Sequence, residues 1–156
     1  MSHSRTSLAI AVIAIAGLGL GVAAQTKPAT AATKVTVYKT SSCGCCKLWV
    51  DHMKAAGFDV QSMDVSAEQV RAVSKAAGLK DDDVSCHTAK VGNYIVEGHV
   101  PADDIKRMLK EKPAIAGIAA PGMPQGSPGM EQGSKEPYDV VAFTKDGKTT
   151  VYAKHK

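Results

Sequence analysis

Three cysteines stand within four positions, Cys43-Gly44-Cys45-Cys46, where an extended stretch gives way to a helical pattern. The cysteine thiolate is both a nucleophile and a soft metal ligand. At a helix start, unpaired backbone N–H groups and the positive dipole end favour thiolate over thiol. A fourth cysteine, Cys86, is followed directly by His87. In an oxidising compartment four cysteines ordinarily mean two structural disulfides. The crowding argues otherwise. Adjacent Cys45 and Cys46 can pair only in a strained ring, and Cys86 can bridge just one of the three. Sulfur concentrated in this way serves site chemistry.

Convergent sulfurs with imidazole beside them form a soft-ligand site, suited to Cu(I), zinc or iron–sulfur chemistry, with imidazole adding to the case for copper and zinc. Zinc favours paired Cys-x2–4-Cys units set apart around a tetrahedron, and only one such unit is present. An iron–sulfur cluster does not suit so tight a spacing. Copper(I) gains support from two thioethers, Met123 and Met130, in the near-identical runs Pro121-Gly122-Met123-Pro124 and Pro128-Gly129-Met130-Glu131. Methionine also fills gaps at a core edge, and that reading stays open for both. Met53 and Met108 lie on apolar helix faces and read as core; Met63 ends a strand and is ambiguous. His87 adjoins Cys86 and is the strongest imidazole candidate. His99 follows as a second candidate, which a satisfied surface position would explain equally well. His52 is expected to face solvent, and His155, in the C-terminal tail, carries no signal.

These residues need a scaffold. Val35-Thr36-Val37-Tyr38 alternates as a strand does, which predicts a strand over Lys34 to Lys39. Thr40-Ser41-Ser42 makes the turn. Leu48, Trp49, Met53 and Ala56 recur at helical spacing, so a helix runs from about Cys45 to Ala56 and stops at Gly57. Phe58 to Val65 reads as the second strand. Ser66 with Glu68-Gln69 opens a second helix carrying Val70, Val73 and Ala77 and ending at Gly78. After the charged loop Lys80 to Asp83, the strand Thr88 to Val91, the turn Gly92-Asn93 and the strand Tyr94 to Glu97 form a hairpin. Pro101 opens a third helix with Asp103 and Asp104 in its first turn and Ile105, Met108 and Leu109 as its buried stripe.

Pro113 to Pro137 carries five Pro and five Gly without periodicity. Such a stretch reads as structureless, either functional or disordered. A second hairpin closes the chain, Tyr138 to Thr144 and Thr149 to Ala153 around Lys145-Asp146-Gly147-Lys148.

The order β-α-β-α-β-β-α with Cys43-x-x-Cys46 at the first helix is a thioredoxin-like α/β pattern, here extended by a Pro/Gly/Met loop and a C-terminal β-hairpin. In that fold the loop before the third strand packs on the dithiol. Here that loop is Ser85-Cys86-His87-Thr88, which brings Cys86 to Cys43 and Cys46. Thioredoxins and glutaredoxins usually hold a cis-proline at this place; this chain has a thiol and an imidazole instead.

Of the 156 residues, 1–24 look like an export signal: His3 and Arg5, an apolar run from Leu8 to Ala24, and the small residues Val22-Ala23-Ala24 before Gln25. An uncleaved anchor is the other reading of that run. Residues 25–33 form a flexible leader, and 34–154 make one domain that includes the 113–137 loop. The net charge of +4 falls to +3 without Arg5, and no concentrated basic face points to nucleic acid.

Four motifs in order, Cys43-Gly44-Cys45-Cys46-Lys47, Ser85-Cys86-His87-Thr88, Val96-Glu97-Gly98-His99-Val100-Pro101 and the Gly117 to Glu131 loop, make the chain resemble the CopG-type family. These are exported metal-binding proteins long described as a domain of unknown function and often encoded with copper-resistance systems. The resemblance spans about Val35 to Tyr152. It implies a thioredoxin-like fold, a periplasmic location without stable membrane association after signal cleavage, and copper binding through the cysteine cluster.

The leading expectation is a periplasmic protein holding Cu(I) between Cys43, Cys45, Cys46 and Cys86, with His87, His99, Met123 and Met130 completing or shielding the site. Its partners would be copper ions and other periplasmic copper-handling proteins. Clustered thiolates bridge metals, so a polynuclear site is compatible, and the same thiols link metal release to dithiol oxidation. Two alternatives belong to other classes: a thioredoxin-type thiol–disulfide oxidoreductase, and a structural zinc or disulfide-stapled binding module.

Overall fold

The computed structural model describes residues 31–156. The expected signal segment and residues 25–30 of the leader lie outside the described residues. Among the described residues the elements run β1 (Lys34–Lys39), α1 (Gly44–Ala55), β2 (Asp59–Asp64), α2 (Ala67–Ala76), a 3-10 turn (Asp81–Asp83), β3 (His87–Val91), β4 (Tyr94–Glu97), α3 (Ala102–Glu111), β5 (Gly117–Ala119), β6 (Tyr138–Phe143) and β7 (Thr149–His155). The first seven regular elements follow the expected β-α-β-α-β-β-α order. They belong to a mixed α/β fold built on one seven-stranded sheet, in the order β2-β1-β3-β4-β5-β6-β7. β1 runs parallel to β2 and antiparallel to β3, and β3 turns back into β4. The tight turn between them uses Gly92 at φ 58°, a conformation glycine adopts without a Cβ penalty.

Side chains alternate across a strand, so each strand serves both faces of the sheet. Val35 and Val37 of β1, Ala89 and Val91 of β3 and Val96 of β4 form one core with Trp49, Val50 and Met53 of α1 and Ala102, Ile105 and Met108 of α3. Met53 and Met108 are fully buried there, as their helical positions require. Complete burial of an aliphatic or aromatic side chain of this size contributes about 1.5–3 kcal/mol. The intervening positions turn toward α2: Thr88 of β3 and Glu97 of β4 meet Ser74. A smaller apolar cluster of Leu79, Ala119 and Phe143 lies beside them.

The helix ends are set by local chemistry. Ser66 and Gln69 form a reciprocal capping box at α2, satisfying two backbone N–H groups that the helix itself leaves free. α3 starts at Ala102, with Pro101 as its N-cap rather than its first helical residue, and it has no side-chain cap of its own. Instead, Nε2 of His52 on α1 accepts the N–H of Ala102 at 3.1 Å. This corrects the expectation that His52 faces solvent: it is half-buried between the two helices. His155 also has a place. It stacks on Tyr138 with ring centroids 4.7 Å apart and lies 2.7 Å from the carboxylate of Asp104.

The Pro113 to Pro137 stretch is not structureless. Gly117–Ala119 forms β5, parallel to β4 and antiparallel to β6, so it joins the first part of the sheet to the C-terminal hairpin. Three residues are too few to show alternation in sequence. Gly117 is required there, because a Cβ would run into the Ile95 carbonyl and the Phe143 ring. The remaining loop is held by its own backbone: Gly126 N–H to Met130 O at 2.8 Å, Met130 N–H to Ser127 O at 2.8 Å, and Glu136 N–H to Gln125 O at 3.1 Å. No helix among the described residues is long and apolar enough to cross a membrane.

Candidate metal centre

The end of β1 and the start of α1 deliver the first three sulfurs. Cys43 is the N-cap of α1, and its sulfur accepts the N–H of Cys46 at 3.3 Å. Cys43 and Cys46 form a disulfide with their Cα atoms 5.3 Å apart, while Cys45 and Cys86 are free thiols. Cys46 is buried; the other three are half-buried. The fourth sulfur comes from the segment just before β3, which the β1–β3 register (Lys39 opposite His87) sets against the helix start. The sulfur of Cys86 lies 3.5 Å from that of Cys46 and 3.9 Å from that of Cys45, and Cys43 and Cys45 are 3.6 Å apart. All four sulfurs fall within 4.8 Å of one another.

The imidazoles complete the other side. Cys86, His87 and His99 form a second group whose potential ligand atoms also lie within 4.8 Å of one another. Nε2 of His99 is 3.0 Å from the Cys86 sulfur, and Nδ1 of His87 is 3.4 Å from it. The His87 ring sits 4.5 Å from the Trp49 ring and meets His99 edge-on at 5.0 Å. Both histidines are fully buried, so the surface-position reading of His99 does not hold. The Trp49 indole N–H donates to Val100 O at 2.9 Å, which fixes the segment following His99 against α1.

Burial governs the ionisation of the free groups. It pushes the Cys86 thiol up to about 12, the nearby Cys45 adds to this, and a hydrogen bond from Ser85 opposes it. Burial also draws His87 down to about 3, with His99 reinforcing the effect. His99 is lowered by burial too, against the opposing pull of Pro128 O and Glu131. Without a metal the centre therefore holds neutral imidazoles and a protonated Cys86, and a metal binding there displaces protons. The donor set fits a soft cation: sulfur from Cys45 and Cys86, and from Cys43 and Cys46 once their disulfide is reduced, neutral imidazole nitrogen, and a buried His87 Nε2 that has no hydrogen-bond partner among the described residues.

The Pro/Gly loop covers one edge of this centre. Pro128 O accepts from Nδ1 of His99 at 2.8 Å. A Cβ on Gly129 would stand 2.8 Å from Cys45 O and 3.0 Å from Trp49 N, so the loop backbone lies directly on the helix start. On the other side Ser85 Oγ donates to Gly122 O. Met123 is 53% exposed, and Met130 is half-buried one residue past Gly129. The structure thus draws four cysteines and two histidines together and leaves the two thioethers on the covering loop.

Behind the centre is a group that motif reading passed over. Glu97 is buried, and its carboxylate accepts from Ser85 N–H at 2.8 Å, Thr88 Oγ1 at 2.7 Å and Ser74 Oγ at 2.9 Å. Burial raises its pKa from the ordinary value against the pull of those three donors. The available signal was an acid closing an otherwise apolar strand, one residue before Gly98.

The chain is similar to known proteins. The family described as "Protein of unknown function, DUF411" matches residues 84–130, a stretch that contains Cys86, His87, His99, Met123 and Met130. No curated protein matches the chain. The solved structure "Copper resistance protein copG- Form 1" is 40% identical, with a TM-score of 0.73, over 80% of this chain and 98% of that one. "Copper resistance protein copG- Form 2" is 41% identical, with a TM-score of 0.73, over 80% of this chain and 99% of that one. Similarity of this extent, over nearly the full length of those chains, means that the chain belongs to the CopG-type family.

Proposed function

We propose that this chain is an exported copper-binding protein of copper resistance. It takes Cu(I) as cargo between the sulfurs of Cys43, Cys45, Cys46 and Cys86, with His99 and His87 as nitrogen donors and Met123 and Met130 as outer thioethers. The observation that carries this reading is the convergence of four sulfurs within 4.8 Å. Thiolates in that number select a soft monovalent ion, and they can bridge more than one. The signal-like residues 1–24 support action in the periplasm, beside other copper-handling proteins.

The disulfide gives the site a second state. Opening Cys43–Cys46 takes two electrons from an external dithiol, which becomes a disulfide, and frees two thiolate donors. Closing it passes two electrons to an external disulfide, which becomes a dithiol, and withdraws those donors from the metal. Uptake and release of copper are thereby tied to thiol redox state.

The test is anaerobic titration of the reduced protein with Cu(I), followed by X-ray absorption at the copper edge. At least one Cu(I) with sulfur neighbours is expected, and Cys43→Ser with Cys46→Ser abolishes it. Stoichiometric Cu(I) retention by that double variant would sink the reading.

A second reading, thiol–disulfide exchange with protein substrates, is favoured by the Cys43–Cys46 disulfide at the start of α1. Insulin reduction by the metal-free protein at a rate comparable to a thioredoxin would promote it.

A further inference from the structure

Cys86 is the residue shared by the two donor groups: the four-sulfur group and the Cys86–His87–His99 group meet only at its sulfur. Its position therefore decides whether sulfur and nitrogen donors face one metal. The Cys86 side chain cannot fix that position by itself, since its own contacts are the weak ones of a thiol. Its backbone neighbours do so. Ser85 N–H is held by Glu97, Ser85 Oγ by Gly122 O, and His87 O accepts from Gly98 N–H at 2.9 Å.

Of these anchors, Glu97 is the one that reaches across the sheet. One carboxylate oxygen takes Ser85 N–H, and the other takes the hydroxyls of Thr88 on β3 and Ser74 on α2. A carboxylate buried to this degree costs free energy that an apolar side chain of similar volume would not. Packing alone gives no reason for an acid here. The backbone also requires Gly98 next to it, because a Cβ there would stand 2.6 Å from the Ser85 side chain. Val96-Glu97-Gly98-His99 thus works on Cys86 from both faces of the sheet: Glu97 grips its segment from behind, Gly98 lets that segment approach, and His99 meets its sulfur in front.

We propose that Glu97 is a positioning residue of the metal centre, whose carboxylate, through Ser85 N–H, sets the sulfur of Cys86 against Cys45, Cys46 and His99. The inference rests on the reading of these sulfurs as one copper site. A carboxylate that merely tied α2 to the sheet would affect stability and leave Cys86 chemistry unchanged.

The test uses the full chain in a Cys45→Ser background, with Cys43–Cys46 oxidised, so that Cys86 is the free thiol. Its alkylation by iodoacetamide is followed by mass spectrometry, and urea unfolding is measured in parallel. In E97Q the amide oxygen still accepts from Ser85 N–H and the amide N–H groups serve the hydroxyls, so the parent rate is expected within about twofold. In E97A, which lacks that anchor, alkylation is expected to be about tenfold faster, the equivalent of losing one buried hydrogen bond. With all four cysteines present and reduced, E97A is expected to hold Cu(I) about tenfold less tightly and E97Q to match the parent. A folded E97A that alkylates at the parent rate overturns the proposal. Should E97A not fold, E97D decides in the same way, because its carboxylate falls one methylene short of Ser85. A parent protein that takes up no Cu(I) defeats the copper reading instead, and the alkylation comparison still tests the role of Glu97.

Discussion

His99 offers Nε2 to the sulfur of Cys86 at 3.0 Å while Pro128 O holds its Nδ1 at 2.8 Å. A carbonyl oxygen only accepts, so the proton of the neutral ring is assigned to Nδ1, and Nε2 presents a lone pair to the sulfur. The covering loop thereby selects the tautomer that an incoming metal needs. His99→Ala should leave the Pro128 carbonyl unpaired and lower stability by about 1–3 kcal/mol, measured by urea unfolding of the metal-free protein. The same variant should weaken Cu(I) binding, read by competition with a chromogenic chelator.

Gly129 makes the loop's approach possible. It sits at φ 88° with Cys45 O and Trp49 N in the space a Cβ would fill. Gly129→Ala meets both obstacles, a strained backbone and a backbone collision, and should cost about 2 kcal/mol or more in stability. Gly44→Ala, at a helix-start glycine with open space around it, should cost under about 1 kcal/mol in the same urea series.

The pH dependence of stability has a readable sign at His52. Burial lowers its pKa from the ordinary 6.5, against the opposing pull of Glu131 and Asp103. On acidification the unfolded chain therefore takes up its proton near pH 6.5, before the folded chain does. Stability is complete above that pH and falls as the pH drops below it. Protonation also removes the lone pair that accepts Ala102 N–H. His52→Gln retains an acceptor and does not titrate, so its unfolding free energy should fall less between pH 7 and 5. His87 and His99 are lowered as well and keep part of the slope in that variant.

Copper should act as a stabiliser that a chelator can remove. If the reduced fold binds Cu(I) and the unfolded chain does not, free Cu(I) at a hundredfold excess over Kd adds about 2.7 kcal/mol. The unfolding midpoint should rise with free Cu(I) and return on adding a strong Cu(I) chelator. The Cys43→Ser, Cys46→Ser protein should show no such rise.

Much of this was legible in sequence because local rules and tertiary demands agreed. The alternation of Val35 and Val37, the stop at Gly57, the Ser66 cap and the Gly92-Asn93 turn each matched the element that formed. The meeting of Cys86 with the first three cysteines followed from the order of elements. Other features depended on distant partners. β5 is three residues long and exists because β4 and β6 flank it. His52 lies at a helical position compatible with solvent, and only the approach of Ala102 gives it a role. Glu97 lacked any spacing signal, since its partners Ser74, Ser85 and Thr88 come from three other segments.

Two contacts along α1 bear on how far this centre can be moved. Trp49 and His52, one helical turn apart, bond Val100 O and Ala102 N–H, the two sides of Pro101, the N-cap of α3. The helix that carries Cys45 and Cys46, with Cys43 as its N-cap, is therefore fastened to the chain immediately after His99. A transplant of Cys43-Gly44-Cys45-Cys46 into a foreign scaffold would carry the sulfurs without their partner imidazole. A portable unit would pair β1–α1 with the run from Ser85 to Ala102, joined by the β1–β3 ladder and by these two hydrogen bonds.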